Sequence, residues 1–542
     1  MERWITLKQI FYNGQIVTME QEGQTVSAML VDGDKIAALG SDAEIFAQKS
    51  DDSICTDLGG KTVLPGFVDA HGHFQMNVMA RHLFIDASCA PAGKVKSIGD
   101  LQQLLRDAIA ENPDKNPVIA FNFDDTLLEE YRMPEAKDLD AVSDEKSIMV
   151  VHASIHMMAA NTKAMESVGM LNLDYKPLGG NIYYDEAGMP NGIIEETPAM
   201  MPFLMQIFSP EQMQKLPMVM GKASDEYLSC GITTVSEGGG DVAMLQLVEP
   251  MMQAGLLKTR YILCCSEMNG QVSNPEIHIP DKIFEGPVKL IQDGSIQCYT
   301  AYLSEPYATN HPVRVKPEGY CGFPHMTTEV LQQKLETIID AGKPFAIHAN
   351  GDAAIDTIIE AVSNCRNLAD IQPRNLIIHC QTVREDQLDK MKALSLYPSF
   401  FPAHIYVWGD RHAGNFLGAE RAARISPCAS ALKRGLRISL HNDEPVTKPE
   451  PLGLVWNAAA RTTSSGRVLG AEQAISVYDA LKAVTIDSAW QYGVEDRIGS
   501  LAPGKKADFI VLAQNPLTCA VDEIPHISIE QTWVDGKQVW HK

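Results

Sequence analysis

Two histidines separated by one residue, His71 and His73, end the mostly apolar segment 64–73. A β-strand has a side-chain period of two, so this spacing predicts that both imidazoles lie on one face of a strand and can bind one cation. Neutral imidazole is the commonest protein ligand for zinc-like metal ions. An isolated His-x-His pair is more often a chance pair in a loop, so the prediction depends on further ligands elsewhere in the chain.

Further candidate ligands follow later apolar segments. His348, His379 and Asp443 each stand at or just after the end of such a segment. Each of them alone is more often a structural polar residue at a strand end. Four histidines and one aspartate at the same end of four strands together predict a metal site.

Lys289 lies inside the apolar segment 287–292, where a buried ammonium group is costly. It could be an edge-strand lysine or belong to a buried ion pair. The functional hypothesis is that its neutral amine takes up carbon dioxide and that the carbamate bridges two cations. Burial beside cations lowers the pKa of a lysine, which this reaction requires. Asp293, on the same side of the strand, is a competing candidate ligand.

The middle of the chain alternates apolar strands with amphipathic helical segments, which is typical of a parallel α/β fold. Eight strands predict a closed (β/α)8 TIM-like barrel, with the chemistry at the C-terminal strand ends. The first two strands are too far apart for a simple connection, so residues of about 78–210 form an insertion. The predicted strands are 63–69, 231–236, 258–266, 287–292, 344–348, 375–380, 396–402 and 436–441.

Both ends of the chain consist of short apolar runs separated by turn signals such as Asn13-Gly14 and Asp32-Gly33. This pattern predicts that residues 1–62 and 496–542 meet as one small composite β-sandwich. The barrel domain then covers residues 63–495.

The ordered ligands resemble those of the amidohydrolase superfamily, and the flanking sequences are similar to its family 3, the N-substituted formamide deformylase-like hydrolases. The resemblance runs from about residue 10 to the end. It implies one or two divalent metal ions, most often Zn²⁺, a carboxylated Lys289, and the ligand set His71, His73, Lys289, His348, His379 and Asp443. The family-like segments are 140–143, 179–182, 191–196, 288–295, 348–352 and 496–508.

The implied activity is hydrolysis of an amide-type or other non-peptide C–N bond of a small molecule. A metal-bound hydroxide attacks the carbonyl, and Asp443 accepts its proton and passes it to the leaving nitrogen. One alternative is a deaminase of a heterocycle that holds a single metal, with His379 beside that metal rather than on it. A non-catalytic scaffold is disfavoured because every expected ligand is present.

The chain departs from the family pattern at two places near the expected pocket. It has Ser154-Ile155-His156 where the family usually has Asp-Gly-His, and His441-Asn442-Asp443 where Gly-Ser-Asp is common. The ligands are retained, so these differences change the expected pocket wall and not the metal site.

The insertion is expected to cover the barrel mouth and select the substrate. His156 and Asn161 resemble family positions that face the substrate, and His404, Trp408 and Arg421 follow the seventh strand and could bind its polar groups. Methionines of the insertion are more often core residues, but several at the mouth would form an adaptable apolar wall. They are Met149, Met157, Met158, Met165, Met170, Met200, Met201 and Met205.

Composition limits the partners. The chain has 542 residues, of which 45% are hydrophobic and 21% charged, as in an ordinary globular protein. Its net charge of -24 argues against nucleic acid or an anionic membrane as a partner. The eleven cysteines contain no Cys-x-x-Cys pair, which argues against a disulfide framework and a cysteine zinc site.

The polar start at residues 1–8 and the lack of any apolar run of about 18 residues predict no secretory signal and no membrane span. We expect the protein to be cytoplasmic. We also expect it to form a homodimer and to act on a small molecule.

Overall fold

The computed structural model describes residues 8–172, 175–176, 179–267, 270–311, 315–367, 370 and 374–542. Its fold is mixed α/β, and its centre contains two arrays of parallel strands. An isolated parallel bridge between Ser266 and Lys289 links them. The first array contains Phe67–Val68, Ile232–Gly240, Arg260–Cys265 and Ile283–Glu285. The second contains Val288–Ile291, Phe345–Ala349, Asn375–His379, Leu396–Phe400 and Ser439–Leu440.

The predicted strand 63–69 is wrong as a single element, because the chain changes sheets at Gly66. Thr62–Pro65 pairs antiparallel with Phe509–Leu512, whereas Phe67–Val68 pairs parallel with Ile232–Gly240. A Cβ atom on Gly66 would lie 2.3 Å from the side chain of Thr233, so only glycine permits this close approach.

The other predicted barrel strands are present, although 436–441 is reduced to Ser439–Leu440. The sequence interpretation missed Ile283–Glu285, which pairs with the outer side of Arg260–Cys265.

Strands from both ends of the chain share one sheet. An apolar core beside this sheet includes Phe11, Phe509 and Trp533, and the ring centroids of Phe11 and Trp533 are 4.9 Å apart. The shared sheet contains Lys537–His541, Ile529–Val534, Phe509–Leu512, Thr62–Pro65, Gln15–Val17 and Thr25–Val26. A second sheet contains Lys35–Gly40, Ala28–Asp32, Lys8–Tyr12 and Ile54–Asp57.

The insertion builds its own sheet and its own apolar core, in which Leu101, Leu105, Val118 and Ile148 are buried. The strands of this sheet are Asn181–Tyr184, Pro190–Glu195, Met157–Ala160, Ile148–His152, Val118–Phe123 and Ile85–Asp86. The helices of the insertion are Ile98–Glu111, Ala136–Asp140, Thr162–Ser167 and Thr197–Ile207.

The helices around the parallel strands follow the amphipathic pattern of the sequence. In Thr328–Asp340, Leu331, Leu335 and Ile338 are buried on one face, and the side chain of Thr327 caps the N-terminus. The other principal helices include Leu216–Ser229, Leu245–Gln253, Asp352–Ser363, Glu385–Ala393, Ala403–Arg411, Pro451–Ala460, Val477–Ala483 and Ile486–Gln491. Among the described residues, no helix combines the length and apolar character needed to cross a bilayer.

Candidate metal centre

His71 and His73 lie in a turn, not in a strand as the sequence predicted. The strand ends at Val68, and His73 is the residue before the helix Phe74–Val78. The backbone of this turn pairs with a second turn, since His73 N donates to the carbonyl of Glu444 at 2.8 Å. The geometry of the turn, and not the side-chain period of a strand, therefore brings the two imidazoles together.

Asp69 fixes the start of this turn. One of its carboxylate oxygens accepts the backbone N–H of His71 at 3.2 Å, and the other accepts the hydroxyl of Ser236 at 2.8 Å. Gly238 packs directly against the ring of His71, where an added Cβ would lie 2.2 Å from Cε1. The neighbouring strand thus holds the ring of His71 in position.

The structure brings all six predicted ligand side chains to one place. Lys289 Nζ is 3.1 Å from His71 Nε2, and His379 Nε2 is 3.1 Å from His348 Nδ1. Asp443 Oδ1 lies 3.4 Å from His71 Nε2 and 3.5 Å from His73 Nε2, and its Oδ2 lies 3.9 Å from His379 Nε2. The complete set is His71, His73, Lys289, His348, His379 and Asp443.

This arrangement fits a divalent cation. Two ligand atoms about 2.0–2.1 Å from a tetrahedral metal are about 3.4 Å apart, close to the separations found here. Among the described residues, the buried Oδ1 atom of Asp443 has no hydrogen-bond partner, although a buried carboxylate oxygen normally requires one. The residues present therefore fit a metal ion.

The protonation states agree with metal binding. Burial and the neighbouring Lys289 hold the pKa of His71 well below its ordinary value, and burial with the adjacent His348 does the same for His379. Their nitrogen lone pairs are therefore available at neutral pH. Burial lowers the pKa of Lys289 to about 8, so a reactive fraction of its amine is neutral near neutral pH. The pKa of Asp443 is about 2, since contacts with His73 outweigh the effect of burial, and its carboxylate is ionised.

Hydrogen bonds orient two of the imidazoles. His348 Nε2 donates to the carbonyl of Gly294 at 3.0 Å, which leaves Nδ1 facing the other ligands. His379 Nδ1 is 3.1 Å from His441 Nε2, and His441 Nδ1 is 2.9 Å from Ser399 Oγ. Such outer contacts fix the ring orientation of metal-binding histidines. Sequence analysis missed this role of His441, although it noted that the family usually has glycine there.

Two ligands also have unusual backbone conformations. His379 and Asp443 have φ values of 67° and 55°, in the left-handed region that non-glycine residues rarely adopt. Residues with such conformations concentrate at functional sites, where the surrounding structure holds them in place.

Asp293, the competing candidate, is occupied by the backbone. Its carboxylate accepts the N–H groups of Asn350, Gly351 and Tyr302 at 2.9, 2.8 and 3.0 Å. Burial raises its pKa to about 7. Its geometry is that of a buried acceptor that joins its own loop to the loop after the strand Phe345–Ala349.

A cavity of about 260 Å³ opens directly beside these ligands. His73, Lys289, His348, His379 and Asp443 form part of its wall, and residues 153–156 bring the insertion to it. Its apolar wall consists of Ala153, Ile155, Ile291, Phe401, Pro445 and Val446, and its polar groups include Ser154, Ser295, Gln297 and Asn350.

The predicted substrate-binding residues divide into two groups. His156 and His404 line the cavity. Asn161, Trp408 and Arg421 do not line it, and their polar groups are engaged elsewhere. The side chain of Asn161 caps the helix Thr162–Ser167 and bonds backbone groups, that of Trp408 donates to Asp124 at 2.7 Å, and that of Arg421 donates to three backbone carbonyls.

The methionines of the insertion do not form the apolar wall. Six of the eight named above are at most 1% exposed, and Met201 and Met205 are 45% and 71% exposed. Among the described residues that line the cavity there is no methionine. The core interpretation therefore holds for the buried six.

A second group of ligand-type side chains, Asp124, Asp125 and His152, is buried in the insertion. His152 Nδ1 accepts the backbone N–H of Ser154 at 3.0 Å, so the ring carries its proton on Nε2. That nitrogen lies 3.5 Å from a carboxylate oxygen of each aspartate. In this tautomer the Nε2–H points toward the two carboxylates, so no lone pair of the ring faces them for a metal.

Comparison with known proteins agrees with the fold and the site. The family model described as "Amidohydrolase family" matches residues 55–540, and the chain therefore belongs to that family. Family membership places it among hydrolytic enzymes.

Two relatives and one solved structure show how far the similarity extends. The N-substituted formamide deformylase of Arthrobacter pascens is 25% identical over 97% of this chain and 96% of its own length. The Protein LONG AFTER FAR-RED 3 of Arabidopsis thaliana is 25% identical over 97% of this chain and 91% of its own length. The crystal structure of an uncharacterized metal-dependent hydrolase from Pyrococcus horikoshii superimposes with a TM-score of 0.73 at 25% identity, covering 95% of this chain and 99% of that one. These similarities imply a TIM-barrel-like core.

Proposed function

We propose that this protein is a metal-dependent hydrolase that cleaves an amide-type or other non-peptide C–N bond of a small molecule. The observation that carries the proposal is the convergence of the six ligand side chains at the wall of the cavity. In this proposal the strands of the two parallel arrays other than Ile283–Glu285 form one closed (β/α)8 barrel, and the terminal sheets, residues 1–62 and 496–542, form a β-sandwich.

The ligand set would hold one or two divalent ions, and Zn²⁺ is the proposed ion because histidine nitrogens dominate the set. Such ions polarise a carbonyl oxygen and lower the pKa of water. A carboxylated Lys289 would supply two oxygens for a second ion, in keeping with its burial, its lowered pKa and the position of its amine beside His71.

Asp443 is the proposed proton carrier. Its carboxylate is ionised, buried, and placed between His71 and His73 at the cavity wall. It accepts a proton from the attacking water and gives it to the leaving nitrogen, which must depart as a neutral amine. His156 offers a hydrogen bond to an oxygen of the substrate, and the apolar wall receives its hydrocarbon part.

The cavity and the relatives define the first substrates to test. A volume of about 260 Å³ admits only a small molecule. The formamide-cleaving activity named for the relative from Arthrobacter pascens makes N-substituted formamides the first class, followed by other amides, cyclic imides and N-acyl amino acids.

The decisive experiment combines elemental analysis with a hydrolysis screen before and after chelation. We expect one to two equivalents of divalent metal, metal-dependent release of an amine, and loss of both in His71→Ala. Two equivalents support the carbamate-bridged site, whereas one equivalent with release of ammonia from a heterocycle supports the deaminase. Full activity in metal-free protein would contradict the proposal.

A further inference from the structure

Glu196 stands at an unusual position in the chain. It separates the strand Pro190–Glu195 from the helix Thr197–Ile207, and its backbone has a φ of 70°, a conformation that costs energy in any residue other than glycine. Its backbone N–H donates to the carbonyl of His156 at 2.8 Å. Such a conformation persists where surrounding contacts determine it, and here those contacts lead to His156.

The side chain of Glu196 makes a second contact with the same residue. Its Oε2 atom is 3.1 Å from His156 Nδ1, and both side chains are about one-fifth exposed. Two hydrogen bonds, one from the backbone and one from the side chain, therefore hold His156 from a segment 40 residues further along the chain.

His156 belongs to the cavity wall, whereas Glu196 is absent from the described residues that line the cavity. Since Nδ1 is bonded to Glu196, only Nε2 remains for a ligand. Glu196 thus acts on the cavity only through the ring of His156.

We propose that Glu196 is a positioning residue: by accepting the Nδ1–H of His156 it favours the imidazolium form of that ring and orients its Nε2–H toward a carbonyl or carboxylate oxygen of the substrate. This inference rests on the proposed function. It requires a substrate with a hydrogen-bond-accepting oxygen within reach of His156.

The electrostatic surroundings support the charged form of His156. Burial by itself lowers its pKa, but the hydrogen bond and the negative charge of Glu196 outweigh burial, and the pKa stands above its ordinary value. The same contact lowers the pKa of Glu196 against the effect of burial, with smaller contributions from His325 and Lys316. The other titratable groups facing His156 are His152, Cys298, His325, Asp293 and His348.

The experiment compares Glu196→Gln, Glu196→Ala and Glu196→Asp with the wild type, all loaded with metal. Glutamine retains a hydrogen-bond acceptor of similar shape but removes the charge, so the fold should survive. Glu186→Gln, in the exposed turn between two strands of the insertion, is the matched control.

The first measurement is the pH titration of His156 by NMR of isotope-labelled histidine, with the resonance assigned from His156→Ala. We expect the midpoint to fall by about one pH unit or more in Glu196→Gln and Glu196→Ala, to recover in part in Glu196→Asp, and to stay unchanged in Glu186→Gln. An unchanged midpoint in both Glu196→Gln and Glu196→Ala would overturn the proposal.

The second measurement is the pH dependence of kcat/KM on a substrate from the screen. We expect the alkaline limb to move to lower pH in Glu196→Gln, with KM raised about tenfold at neutral pH and metal content unchanged. A purely structural role would lower the melting temperature and leave the alkaline limb in place, and that result would also overturn the proposal. If His156 titrates as expected but no metal-dependent hydrolysis is found, the proposed function fails and the contact with Glu196 does not.

Discussion

Replacing Gly238 by alanine should damage the metal centre although no ligand residue is substituted. The added Cβ would lie 2.2 Å from Cε1 and 2.5 Å from Nδ1 of His71, where ordinary contacts begin at 3.4 Å. The ring must therefore withdraw by the difference, 3.4 minus 2.2, or 1.2 Å. Metal–ligand distances tolerate only about 0.2 Å, so His71 Nε2 can no longer take its place among the other ligands.

We expect Gly238→Ala to weaken metal binding by about 10- to 100-fold, the usual effect of disturbing the support of a ligand. Crowding in this packed region should also lower the free energy of unfolding by about 1–3 kcal/mol. Metal affinity is measured by competition with a fluorescent chelator, and stability by thermal unfolding of the metal-free protein.

Gly221→Ala, in the helix Leu216–Ser229, is the matched control. Its added Cβ would lie 3.9 Å from Leu256, an ordinary contact distance. It should keep the metal affinity and should not lower the melting temperature, because alanine favours a helix more than glycine does. A Gly238→Ala variant that binds metal as tightly as the wild type would refute the argument that this glycine sets the position of His71.

Three further predictions concern single charges. Asp443→Asn should retain most of the metal but reduce turnover by about 100-fold or more, and a near-normal rate in steady-state assays would assign the proton to another group. Lys289→Ala should lose the second metal equivalent and regain part of the activity with short carboxylic acids; NMR with isotope-labelled bicarbonate should show a carbamate only in the wild type, and a spectrum without that signal would favour the single-metal site. Asp535 contacts the fully buried Arg260 and lies 2.9 Å from Lys282, and these cations hold its pKa at about 2 against the effect of burial. Because this pKa is lowered in the folded state, its contribution is complete above about pH 4 and is lost as the pH falls toward 2. Asp535→Asn should therefore lower the free energy of unfolding by about 2 kcal/mol at pH 7 and flatten the acid dependence measured by denaturant titration, and an unchanged acid profile would contradict this assignment.

The sequence was sufficient to single out the six candidate ligands whose side chains lie together in the structure, because each follows or lies within a short apolar segment whose pattern is local. Helices and strands depend on the spacing of apolar residues and on turn residues, which can be recognised within one window of sequence. The sequence also predicted the insertion, since so long a connection between two strands cannot be a simple loop.

Other features depended on contacts between distant segments. His71 and His73 follow the strand instead of belonging to it. The position of this turn depends on the contact between Asp69 and Ser236 and on the packing of Gly238 against His71, and both Ser236 and Gly238 belong to the neighbouring strand. The division of the first predicted strand at Gly66 depends on Thr233, which the local pattern could not indicate.

The roles of polar side chains were least accessible to the sequence. Asn161 and His156 were both expected to face the pocket. The amide of Asn161 instead bonds nearby backbone groups, and of these two residues only His156 reaches the cavity. Glu196 and His441 gained their roles through partners far away in the chain, His156 and His379. A hydrogen bond depends on distance and direction between two atoms, so only the tertiary structure decides which polar groups meet.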